Sequence, residues 1–75
     1  MNTIESLTKA LIEDVTQGNR TVKQLKIKLS DGLAFLEERG AHNIQPGLLI
    51  MLKALDNAIT QIELNRAKAN RRRDN

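Results

Sequence analysis

Cysteine is absent from the chain, so no disulfide can staple it, and neither a thiolate zinc site nor a cysteine nucleophile is available. Aromatic residues are almost absent too. Phe35 is the only one, so the core must be aliphatic, and stacking of nucleic-acid bases on aromatic rings is nearly excluded. Long apolar runs are also lacking: the longest, Leu48-Leu49-Ile50-Met51-Leu52, falls far short of the roughly 20 residues a membrane span requires. The start, Met1-Asn2-Thr3-Ile4-Glu5, has neither the basic opening nor the apolar stretch of a secretory signal. These absences set the expectation of a cytoplasmic protein with no membrane association.

Histidine occurs once, as His42, in a polar stretch beside Asn43. One histidine cannot make the usual multi-histidine metal site, and a polar loop residue is expected to face water. Glu13-Asp14 and Glu37-Glu38 are neighbouring carboxylates, but adjacent helical residues diverge by about 100° and do not share a site. The glycines, Gly18, Gly32, Gly40 and Gly47, are scattered singly, so no phosphate-cradling loop is formed. The expectation is a protein without catalytic, cofactor or metal site.

What is present is helical periodicity. Ile4, Leu7, Leu11 and Val15, with Ile12 beside them, recur at helical spacing and predict a helix from Thr3 to about Gln17, capped by Asn2 with Glu5 and stopped by Gly18-Asn19. Thr21-Val22-Lys23-Gln24 has the form of a capping box. It predicts a second helix to about Arg39, with Val22, Leu25, Leu29, Leu33 and Leu36 on its apolar face and Gly40 as its stop. Gly32 stands at the margin of that face. A mid-helix glycine costs about 1 kcal/mol relative to alanine, which suggests the close approach of a neighbouring helix.

After a short connection, Ala41 to Gln45, Pro46 suits the first turn of a third helix, because its missing N–H has no role there. Leu48, Met51, Leu52, Leu55, Ala58, Ile59 and Ile62 form one wide stripe near heptad spacing, which predicts a helix to Ala67 or beyond. Short connections favour antiparallel neighbours. The predicted fold is all-α: three helices in one domain over residues 1–69, a short amphipathic helix followed by a longer antiparallel helical hairpin that dimerises, and a basic, frayed tail over 70–75.

A chain of 75 residues buries only about 60% of the surface its unfolded form exposes, so the core is thin. Yet the third helix carries Leu49, Ile50, Ala54 and Leu64 off its main stripe, and the second carries Ile27, Ala34 and Phe35 off its own. Contiguous apolar surface in excess of one core points to an interface. The expected function is therefore regulatory or adaptor binding of another protein, by a homodimer. Leu48, Leu49, Ile50, Met51, Leu52 and Leu55 are the expected contacts and Phe35 a rim or anchor residue, with a partner helix lying between helices two and three. Leu48, Met51 and Leu52 are also assigned to the intramolecular stripe, and Leu49 and Ile50 are the residues left for a partner.

Charge supplies the alternative. The formal net charge is +3, but residues 1–64 hold seven Lys/Arg against eight Asp/Glu, a net of −1, and residues 65–75 hold five against one, a net of +4. Arg66, Lys68, Arg71, Arg72 and Arg73 form a cluster suited to phosphate contacts, which gives the second expectation, a small dimeric nucleic-acid-binding regulator. A helix-turn-helix reading fails on the third helix, because a recognition helix presents polar side chains from its first turns and Gly47-Leu48-Leu49-Ile50-Met51 are not polar. An interfacial membrane helix is disfavoured because its cations would line one face rather than gather at one end.

Overall fold

The protein is described by a computed structural model over residues 2–40 and 44–73, with side chains through Ala69. The described residues form three helices and no strand: α1 (Thr3–Thr16), α2 (Val22–Arg39) and α3 (Pro46–Arg73). The expected connection Ala41 to Gln45, with His42 in it, lies largely outside the described residues; of it, only Ile44 and Gln45 are described.

Local chemistry sets the boundaries. The Asn2 side chain accepts from the Ile4 N–H at 3.0 Å and opens α1, so the cap expected there forms on Ile4. At the far end Gly18, with φ +83°, takes the left-handed conformation that glycine tolerates best. The Gly18 N–H donates to Val15 O and the Asn19 N–H to Asp14 O, the paired bonds of a Schellman stop. The capping box at the start of α2 is complete: the Gln24 N–H donates to Thr21 Oγ1 at 3.1 Å and the Thr21 N–H to Gln24 Oε1 at 2.9 Å. Pro46 begins α3, and the Leu48 N–H donates to Gln45 O.

The core is centred on α3. Leu52, Ala54, Leu55, Ala58, Ile59 and Ile62 are buried on it, joined by Leu11 of α1 and Leu25 of α2. At about 100° per residue those six α3 positions cover close to half the circumference, wide enough for a helix on either side. α1 and α2 each pack against α3 and only marginally against one another. Glu5, Thr8 and Lys9 share a groove with Asp56, Asn57 and Thr60, and farther along Val15 and Thr16 share one with Ile62, Asn65 and Ala69, so numbers rise together on α1 and α3. On α2 they run oppositely. Lys26 pairs with Glu63 at 3.0 Å, Gly32 lies against Leu52, and Phe35 and Arg39 share a groove with Gln45 and Leu48.

Three positions on the predicted stripes are corrected. Ala54, placed outside the main stripe of α3, is fully buried, because the buried arc is wider than a heptad seam and includes the side facing α1. Met51, placed on that stripe, is 40% exposed, since it precedes the stretch that α1 covers. Leu33 of α2 is 51% exposed: the buried face of α2 is narrow, with Leu25 alone fully enclosed, and Leu33 stands at its edge.

Gly32 has the role its position suggests. A Cβ there would lie 3.3 Å from Leu52 Cγ and closer still to Cδ2, and Leu52 is itself buried. Gly32→Ala should therefore fail to deliver the helix-propensity gain of about 1 kcal/mol. Overpacking outweighs it, for a net loss of about 1 kcal/mol, to be read as a lower urea midpoint; a stabilised variant would contradict the close approach. Thr21→Ala, which removes the α2 cap, should cost about 1 kcal/mol in the same measurement.

Candidate protein-binding end of the bundle

The three helices differ in length. α1 has 14 residues and α3 has 28, or about 21 Å against about 42 Å at the usual helical rise. α1 packs on the middle and later part of α3, and no buried residue of α3 precedes Leu52. The most apolar stretch of the chain, Leu48 to Met51, thus lies at an end of the bundle that two helices supply rather than three. The second half of α2 forms the other wall, and it too contains no buried residue.

Exposed apolar side chains gather there. Leu33 and Phe35 on α2, with Leu49 and Met51 on α3, are each at least 40% exposed, and Ile44, Leu36, Leu48 and Ile50 are half-buried. Isolated exposed leucines are ordinary. Here Leu33 and Phe35 fall about 160° apart around α2, as do Leu49 and Met51 around α3, so the four divide between two sides of this end.

Between α2 and α3 this end contains a groove of about 480 Å³ lined by Asp31, Gly32, Phe35, Arg39, Gln45 and Leu48. Gly32 lets the two helices approach at its floor. The Arg39 guanidinium lies 5.0 Å from the Phe35 ring centroid, a cation–π contact worth about 0.5–1 kcal/mol at an exposed site. That contact keeps the ring beside the groove and puts a guanidinium fork at its edge, a bidentate partner for a carboxylate. Asp31 supplies the opposite sign on the same rim.

The sequence-predicted contact residues divide accordingly. Leu49, Met51 and Phe35 are exposed, and Leu48 and Ile50 are half-buried. Leu52 and Leu55 are corrected: at 7% and 2% exposure they lie inside the core, because they fall on the arc of α3 that α2 covers, and a partner cannot reach them in the folded chain. Leu33 was missed as a surface residue, since its spacing alone puts it on the same face as Leu29 and Leu36. Of the basic cluster, Arg66 and Lys68 are exposed on the last turns of α3, and Arg71, Arg72 and Arg73 continue that helix.

The carboxylates of the first pair behave as separate groups. Asp14 pairs with Arg20 at 3.2 Å, whereas Glu13 accepts from Gln17. Among the described residues no group of three or more His, Asp or Glu side chains is placed to hold a metal ion, and no helix is long and apolar enough to cross a membrane. Comparison with models of known protein families, with curated proteins and with solved structures finds no match to this chain.

Proposed function

We propose that this chain is a small, non-catalytic regulatory or adaptor protein that acts by protein–protein binding, with α2 and α3 as an antiparallel helical hairpin and a homodimer as its working form. The observation that supports this reading most is the apolar group Leu33, Phe35, Leu49 and Met51 at the end of the hairpin that α1 does not reach. Leu33 and Phe35 lie about 160° apart around α2, as do Leu49 and Met51 around α3, so apposing two such ends removes part of this group from water on both copies. The full burial of one such aliphatic or aromatic side chain contributes about 1.5–3 kcal/mol, and part of that is spent on lost translational and rotational freedom. The groove between α2 and α3 suits an apolar side chain from a partner helix, with a carboxylate nearby to meet Arg39.

The non-catalytic part of the proposal rests on composition. There is no cysteine, and His42 is the sole histidine.

Sedimentation at about 10 µM, a concentration that populates a dimer of micromolar affinity, should show two chains per particle. Leu49→Glu or Met51→Glu should yield a monomer that keeps its helical circular dichroism, because both side chains are exposed within one chain. Leu55→Glu should instead unfold the chain, since the charge would replace a fully enclosed leucine. A wild-type chain that sediments as a folded monomer throughout would overturn the dimer.

A further inference from the structure

The opposite end of α3 presents a different surface. Its last buried residue is Ile62, and every described side chain from Glu63 to Ala69 is exposed. The last pairing from α2 is Lys26 with Glu63, and the groove shared with the end of α1 closes at Arg66 and Ala69. The helix nevertheless continues to Arg73. The molecule is 51 Å long but only 28 Å by 20 Å across, in keeping with a helix that outruns its neighbours.

From Asn65 to Arg73 this arm has five cations and no acid. The carboxylate just before it, Glu63, is matched by Lys26. Helix C-termini carry roughly half a negative charge, which five cations exceed. By helical register, Lys68, Arg71 and Arg72 fall within about 100° of one another, and Arg66 and Arg73 fall on the opposite side. The positions between them are small and uncharged: Asn65, Ala67, Ala69 and Asn70.

We propose that this arm inserts into the major groove of B-form DNA, with its two cationic sides against the two flanking phosphate rows. The groove is about 12 Å wide and admits a helix, and Ala67 and Asn70, which fall by register away from the α1 groove that Asn65 and Ala69 line, leave the bases approachable on that side. A membrane surface meets a helix from one side and calls for an apolar face, whereas the arm is charged on two sides and offers little beyond Leu64. The major groove of an A-form RNA duplex is too narrow for a helix. Single strands are held by aromatic platforms, and the one aromatic, Phe35, is at the other end of the bundle. This inference is independent of the protein-binding end.

The test is fluorescence anisotropy of a labelled DNA duplex of about two helical turns, titrated with the full chain at several salt concentrations. Five phosphate contacts predict a slope of log affinity against log salt of about −4.5. Arg66→Gln with Arg73→Gln should flatten the slope by roughly 2, and Lys68→Gln with Arg71→Gln and Arg72→Gln by roughly 3. Circular dichroism checks that each variant still folds. Single-stranded DNA of equal length, an RNA duplex and phosphatidylserine vesicles should all bind more weakly. The inference is overturned if the duplex shows no salt-dependent binding, if any of those three probes binds as tightly, or if neutralising one side leaves the slope unchanged.

Discussion

Everything in this fold depends on the buried arc of α3 from Leu52 to Ile62. It is broad enough to seat α1 on one side and α2 on the other, and the two flanking helices hardly support each other. In a chain this short, one helix must serve as the common wall, since there is not enough apolar surface to build three equivalent interfaces. Alanine is part of how it does so. Ala54 and Ala58 are fully buried because their small side chains let a neighbouring helix come close, and Gly32 does the same from α2 against Leu52.

The same constraint creates the two ends. With α1 about half the length of α3, the shared core occupies only the middle of the long helix, and each terminus extends past it. One terminus is aliphatic and borders the apolar second half of α2. The other is cationic, with the end of α1 beside it as far as Ala69. The +3 net charge therefore describes neither end, because the neutral-to-acidic body and the basic arm are physically separate surfaces.

Helix boundaries were legible from sequence because each depends on neighbours only a few residues apart. Thr21 and Gln24 satisfy one another across a single turn, Gly18 closes α1 by its own conformation, and Pro46 needs no partner to start α3. Exposure was less legible. Met51 has the right spacing for the stripe, yet whether water reaches it is set by where α1 begins along α3, which no local pattern encodes. Ala54 misled in the other direction, since alanine is a weak hydrophobic signal by itself and becomes a core residue only when a second helix lies on its side of α3. Leu52 and Leu55 look like partner contacts for a related reason: an apolar residue is the same in sequence whether it meets its own chain or another.

The helical class, the caps and stops, the glycine at the close approach, and the concentration of positive charge at one end all follow from residue types and spacings of a few positions. Which apolar residues are enclosed and which are left to water depends on how the three helices pack. That partition follows from the unequal lengths and relative placement of three helices, a property of the whole chain: it turns Leu52 and Leu55 inward and leaves Leu33, Phe35, Leu49 and Met51 at the surface.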